Sequence, residues 1–517
     1  MKKIFGILLV SSILFVSCSE DLLEPFTPGS LTEDVAIKKS SDLVNLVNSS
    51  MNILTNRTEY VFSSVFTDEA SPGSQNGGQG VTSDYVFLMN VDNGSAAAIW
   101  QTQYFALARL NRVIAFADKV VATSPADQQL INRSKAEALV LRALAHSKIV
   151  SYFSPNPKDD ASLAGVLADR IIATTEKPER VNNAAFYKSI HADLDAAIAI
   201  FNSNTATAYA AANRTFYPSK ALAQALKARV YALKGDYTNA ETFANTVINT
   251  SGITLANTQA KYNAVFHTHN EDPNTEVIFR LKRTVQQNAQ GTNLHNGWCS
   301  IRPSVGGSPF YEVGRSLFNI LNATPTDVRR GVIVAPSSII SPDYQNEADY
   351  LGSDRLVLHK HGGVATGSAT AATSSTNAFN NDHKIMRISE MYLIKAECRA
   401  AANDFAGAAT AIDAIRDARF GSDQVAPVYG NVTAAWKGVL DERRLELAFE
   451  GHRFIDIKRL GVLAGITGLD RDPMDYNGLN IPGGDPVNLP LNSYKWALPI
   501  PQSEINANGA IQQNAGY

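Results

Sequence analysis

Glu442, Glu446 and Glu450 recur at i, i+4 and i+8, which puts them on one face of a helix expected near 433–450. Paired carboxylates of this kind do the acid–base work of glycoside hydrolysis. Arg443, Arg444 and Arg453 stand beside them, so ion pairing within or between helices is the plainer expectation. Asp68-Glu69 forms a second acid pair in a polar loop ahead of residues 72–80. A loop acid more often accepts hydrogen bonds from sugar hydroxyls than performs catalysis, and no catalytic residue is assigned.

Metal chemistry has two candidate patterns. His267-Thr268-His269 and His359-Lys360-His361 each place two imidazoles on one side of an extended segment, a spacing that zinc accepts. No third-ligand pattern accompanies them and they lie far apart in sequence, so core or surface histidines are expected. The stretch from Asp470 to Gly478 is acidic and turn-prone. An EF-hand wants oxygens at positions 1, 3 and 5, glycine at 6 and glutamate at 12. Here Asp475 stands at position 6, Gly478 at 9 and Ile481 at 12, which reads as a polar loop, with a calcium site of another type as the alternative. No metal and no cofactor is assigned.

Binding chemistry has more to work with. A sugar ring has an apolar C–H face that stacks on an aromatic ring, while its hydroxyls seek Asn, Asp and Arg. On that logic the candidate ligand residues are Trp298, Tyr311, Tyr85, Asn93, Arg302 and Asp68. Trp298, in Asn296-Gly297-Trp298-Cys299-Ser300-Ile301-Arg302-Pro303, leads them; its alternative role is to anchor an insertion on the helices. Trp100, Trp436 and Trp496 read as core.

Lys2 and Lys3 precede an apolar run from Ile4 to Val16, interrupted only by Gly6, Ser11 and Ser12. That run falls short of the roughly 20 residues that span a bilayer, so it reads as a signal peptide over 1–17. Ser17-Cys18 is where a bacterial lipoprotein is cut and lipidated, although Phe15 stands where such a box usually has Leu. Cys18 is the expected lipidated N-terminus and 18–33 an acidic tether; an ordinary signal peptide cut nearby is the alternative.

These residues need a frame. The chain has 517 residues and a formal charge of −3, and nothing basic recommends a nucleic-acid partner. Cys299 and Cys398 are too few for a disulfide framework, and Cys398 reads as a core thiol. Helical periodicity predicts helices near 34–54, 95–121, 128–153, 184–203, 218–233, 236–250, 387–402 and 404–419, besides 433–450. Two hairpins match. Ala228, Tyr231, Gly235, Tyr237 and Ala240 share their spacing with Ala396, Arg399, Asn403, Phe405 and Ala408. Such small and aromatic offsets resemble tetratricopeptide hairpins, which act as scaffolds. Residues 55–94 read as a polar loop. Strand-like pieces at 276–281 and 355–359 and long loops fill an insertion over 255–385, and 465–517 is irregular. The expected fold is mainly α: one unit over 34–517, with helical hairpins (34–254 and 386–464) carrying a loop-rich, partly β ligand face.

The stretch Asp441-Glu442-Arg443-Arg444-Leu445-Glu446-Leu447-Ala448-Phe449-Glu450-Gly451-His452-Arg453-Phe454-Ile455-Asp456 resembles a hallmark of the SusD/RagB family. So do Arg387-Ile388-Ser389-Glu390-Met391-Tyr392-Leu393, the tail Leu498-Pro499-Ile500-Pro501, and Trp100, Tyr104 and Asn111. The resemblance implies an outer-membrane lipoprotein of Bacteroidetes that faces outward and caps a SusC-like TonB-dependent transporter. It implies capture of a glycan (in some members a peptide) without catalysis, on a fold with four tetratricopeptide-like helix pairs. A secreted glycoside hydrolase is the remaining alternative.

Overall fold

The structure is a computed structural model. It describes residues 36–73, 81–204, 215–267, 276–283, 294, 310–348, 350–361, 381–476 and 487–517. In the first half α1 (Ser40–Leu54) and α2 (Thr58–Phe66) lead into a short strand, β1 (Ala70–Pro72). Long helices α3 (Gly94–Ala117) and α4 (Pro125–Phe153) follow, then β2 (Leu163–Val166), β3 (Arg180–Asn182) and α5 (Asn183–Ser203). Next come α6 (Lys220–Lys234), α7 (Tyr237–Thr250) and α8 (Gln259–His267), then β4 (Val277–Leu281) and β5 (Tyr311–Val313). Three short helices, α9 (Arg315–Ala323), α10 (Val328–Ile333) and α11 (Tyr350–Ser353), precede β6 (His383–Arg387). The chain ends with α12 (Ile388–Ala401), α13 (Phe405–Phe420), α14 (Val432–Glu446), α15 (Arg453–Leu460), β7 (Gly468–Leu469), β8 (Leu489–Pro490) and α16 (Gln502–Ala507). Among the described residues the strands pair two by two, as β1–β5, β2–β3, β4–β6 and β7–β8.

Local chemistry sets the helix starts. Side chains of Asn93, Ser124, Asn182, Ser219, Asp236, Asp404 and Asn431 each accept a backbone N–H from the first turn that follows. Helix α4 begins at Pro125, ahead of the expected 128, because Ser124 caps it and proline suits the first helical position. Its alanines Ala136, Ala138, Ala143 and Ala145 are buried, which lets α3 and α5 pack closely against it.

The matched hairpins are present and stacked. In each, the two alanines of the shared spacing (Ala228 with Ala240, Ala396 with Ala408) are fully buried. The turns need left-handed backbone, supplied by Gly235 at φ 86° and Asn403 at φ 59°. Helix α7 of the first hairpin packs on α12 of the second, and Tyr237 sits against Trp436 with centroids 5.5 Å apart. Trp100, Trp436 and Trp496 are all buried, as expected. Phe454 joins Phe62, Phe66, Tyr152 and Trp496 in one aromatic cluster with centroid spacings of 5.3–5.6 Å from Phe454. Phe454→Ala would cost roughly 3–5 kcal/mol through the cavity it leaves.

Three expectations change. Residues 55–94 contain α2, whose Tyr60, Phe62, Val65 and Phe66 are buried; a short helix enclosed on most sides shows no amphipathic stripe. The insertion holds α8 to α11 as well as strands, and 355–359 forms only isolated bridges, Ile339 with Arg355 and Val334 with Leu358. Its ends are joined by antiparallel β4–β6 pairing, Val277 opposite Arg387 and Leu281 opposite His383. The helix expected over 433–450 stops at Glu446, and Phe449 turns left-handed at φ 62°. Glu450 therefore lies beyond the helix that carries Glu442 and Glu446.

Candidate ligand face at the β1–β5 ladder

The two regions that carry the candidate ligand residues meet in one antiparallel ladder. Ala70 pairs with Val313, Ser71 with Glu312 and Pro72 with Tyr311, and the Gly73 N–H donates to the Phe310 carbonyl at 2.7 Å. Gly314 continues the contact: its N–H donates to the Glu69 carbonyl at 2.7 Å, and a Cβ there would stand 2.7 Å from the Asp68 carbonyl. Only glycine admits that approach. From the ladder the chain runs on into 74–80 and arrives from 295–309. Trp298, Arg302 and Cys299 lie in the latter, outside the described residues. Phe310 is 37 % exposed and Tyr311 half-buried. Burial pushes the Tyr311 phenol pKa up, and its hydroxyl is hydrogen-bonded to Thr82.

Asp68, Tyr85 and Asn93 lie in the interior beneath this face, not on it. Asp68 receives Arg453 at 2.7 and 2.8 Å and Arg444 at 3.1 Å. Burial alone would raise its pKa, but the two guanidiniums outweigh burial and hold it well below the usual carboxylate range. Tyr85 is fully buried; its ring carries the Arg471 guanidinium at 4.0 Å and its hydroxyl donates to the Asp475 carbonyl at 3.3 Å. Asn93 caps α3, accepting Ala96 N–H at 2.8 Å and donating to Asp84 at 2.9 Å. Each of these polar groups is consumed by a partner, so none is left to meet a sugar.

Arg471, which sequence reasoning passed over, ties the irregular tail to this region. It donates to the carbonyls of Val65, Phe66 and Thr67 at 3.0–3.1 Å, which closes the C-terminal end of α2, and to Tyr85 O at 2.8 Å. Arg315 was missed too. Its N–H donates to Asp475 at 2.8 Å, its guanidinium pairs with Asp354, and that guanidinium lies 3.4 Å from the ring centre of Tyr344. Both sites join segments distant in sequence, so no local spacing advertises them.

Two acids here are pushed into the neutral range by burial. Glu69 rises to about 7, although Ser64 donates to it at 2.8 Å and Phe449 N–H at 3.1 Å. Asp475 also rises to about 7. Both are buried, at 1 % and 4 % exposure, away from any substrate in solution. The carboxylates of α14 and of the turn after it are the opposite. Glu442 meets Arg329 at 2.6 Å and Arg416 at 2.8 Å. Glu446 meets Arg387 and Arg419 at 2.7 Å, and Glu450 meets Lys360 and Arg387 at 2.7 Å. Against the upward push of burial, the surrounding cations hold Glu446 and Glu450 below the usual carboxylate range. A general acid needs a pKa near the working pH, which these two lack.

One histidine of each pair meets the other. His267 stacks on His359 with ring centres 4.0 Å apart, and burial holds both below the usual histidine pKa. His269 lies outside the described residues. Among the described residues no group of three or more His, Cys, Asp or Glu is arranged to hold a metal ion. A cavity between α4, α6, α12, α14 and α15, lined by Lys148, Arg229, Glu390, Arg443, His452 and Arg459, has a volume of about 40 Å³. That admits a few waters and no sugar ring.

The SusD family model matches residues 340–517. SusD-like protein P2 of Formosa agariphila is 26% identical over 549 residues, covering all of both chains. The crystal structure of a SusD superfamily protein from Bacteroides thetaiotaomicron superposes with a TM-score of 0.73 at 23% identity, covering 92% of this chain and 99% of that one. A laminarin-binding SusD-like protein has a TM-score of 0.65 at 22% identity, covering 93% of this chain and 100% of that one. The chain therefore matches the SusD family model over its C-terminal third, resembles a SusD-like protein along its whole length, and shares the fold of SusD superfamily structures.

Proposed function

We infer that this protein binds an oligo- or polysaccharide at the β1–β5 face without chemical turnover. It would hold the glycan for a SusC-like TonB-dependent transporter. The observation that carries the reading is the ladder itself, which gathers Tyr311 and Phe310 beside the two connections that leave it. Trp298, Tyr311 and Arg302 are the proposed ligand contacts. The solved laminarin-binding relative, which shares this fold, supports a glycan. The ion-paired state of Asp68, Glu442, Glu446 and Glu450 supports a binder over a hydrolase. In this reading Cys18 carries lipid and holds the chain on the outer membrane, facing outward. Tethering raises local ligand concentration at the transporter, so individual contacts can be weak.

Affinity electrophoresis against a panel of polysaccharides, with product analysis of the same mixtures, tests this. Retardation by at least one glycan with no released product is the expected result. Binding of none, or release of shortened products, would sink it. For the anchor, Cys18→Ala should move the protein from the membrane to the soluble fraction with its glycan affinity intact; retention on membranes would remove Cys18 from the account.

A further inference from the structure

Tyr344 has the construction of a second sugar platform. It sits on a single 3-10 turn, Tyr344–Asn346, and is half-buried. One face of its ring is taken by Arg315, whose guanidinium centre lies 3.4 Å from the ring centroid. Arg315 is itself held: Asp354 pairs with it, Asp354 also accepts the Ser341 N–H at 2.9 Å, and the Arg315 N–H is anchored on Asp475. The phenol is steadied by Asn319, which donates to its oxygen at 3.2 Å, and the Tyr350 ring stands 6.1 Å away at 49°. Among the described residues no ring or cation covers the other face.

A ring backed in this way loses little freedom when a ligand lands on it, which is the advantage of preorganisation. A cation already draws the π density to one face, so a second cation gains little from the other. What suits that face is an apolar C–H surface. The rim is polar and exposed: Asn319, Asp343, Gln345, Asn346 and Glu347. Amides and carboxylates there can receive sugar hydroxyls, while Asp343 and Glu347 oppose a uronate or sulfate at this position. Arg315 follows Tyr311 by four residues, roughly 13 Å at strand rise. That separation calls for an oligosaccharide rather than a single sugar.

We propose that Tyr344, stacked on Arg315 beside the end of β5, is a stacking platform for an uncharged sugar residue of a glycan that also reaches Tyr311. The proposal rests on the glycan-binding reading and extends it by one subsite. The test is titration calorimetry of the full chain and its Tyr344→Ala and Tyr344→Phe variants. The probes are laminarin, mannan and xylan oligosaccharides, with oligogalacturonate as the charged probe and thermal unfolding recorded alongside. Tyr344→Ala should weaken the neutral glycan that the wild type binds roughly tenfold or more, while Tyr344→Phe keeps affinity within about twofold. Unchanged affinity in Tyr344→Ala overturns the platform and leaves the glycan reading standing. So does a fall in Tm with affinity intact, which marks a merely structural stack. A wild type that binds only oligogalacturonate, with Tyr344→Ala weakening it, overturns the uncharged sugar. A wild type that binds none of the probes, nor any glycan of a wider panel, overturns both readings.

Discussion

At the turn between α14 and α15, Arg387 donates to Glu450 at 2.7 and 2.8 Å and to Glu446 at 2.7 Å, and it pairs with Glu276. Arg419 and Arg329 close the same lattice through Glu446, Glu276 and Glu442. At the ladder, Arg444 and Arg453 clamp Asp68, but Arg471 lies over Tyr85 and Phe87 and Arg315 lies on Tyr344. The carboxylates follow suit. Those in the lattice are held low by several cations, whereas Glu69 and Asp475 are pushed up to about 7. One region matches charge with charge and locks a helical frame. The other leaves Glu69 and Asp475 buried with fewer compensating cations than Asp68 has, and places aromatic side chains at the surface, as a face for uncharged polar ligands requires.

The contrast breaks most visibly if a lattice charge is removed. Arg387→Ala leaves Glu276, Glu446 and Glu450 buried without their shared cation, and should cost about 3–5 kcal/mol in denaturant unfolding. An effect under about 1 kcal/mol would mean the lattice does not hold the frame.

Next comes pH. Glu69 moves from 4.5 to about 7 on folding. Its contribution is fully present below about pH 4.5 and is lost as pH rises through about 7, because the unfolded chain gives up that proton first. The swing is at most about 3 kcal/mol. Unfolding measured at pH 5 and pH 8 should show wild type losing stability relative to Glu69→Gln, which keeps the acceptor and has no proton to lose. Parallel pH profiles would refute the shift.

Ligand contacts should act on affinity instead. Trp298→Ala or Tyr311→Ala is expected to weaken glycan binding roughly tenfold, about 1.4 kcal/mol, read by calorimetry. Equal affinity in both variants would put the site elsewhere. The smallest effect belongs to Tyr85→Phe. It removes one buried hydroxyl bond to Asp475, so stability should fall by about 1 kcal/mol and affinity should not move. A loss of affinity there would return Tyr85 to the ligand face.

Legibility followed distance along the chain. The hairpins could be read because their alanines, turn residues and aromatics lie within a few residues of one another. Asp68 could be seen as an acid in a loop, but its partners Arg444 and Arg453 lie hundreds of residues later, and they turn it from a ligand candidate into a clamp. The helix over 433–450 was overextended because its apolar and acidic spacing continues past Glu446. Phe449 leaves that path, and its N–H meets the Glu69 carboxyl, which no local pattern announces.

The sequence by itself determined a mainly α chain, two matched hairpins, buried tryptophans and the family motifs of the C-terminal third. These depend on neighbours within a turn or two, where spacing alone specifies geometry. Tertiary structure decided which polar residues face outward. A carboxylate or phenol behaves as ligand, clamp or proton reservoir according to what surrounds it, and those surroundings come from residues far apart in the chain. The pairing of β1 with β5, across some 240 residues, was therefore needed to show that Tyr311 belongs to the face and Tyr85 to the core.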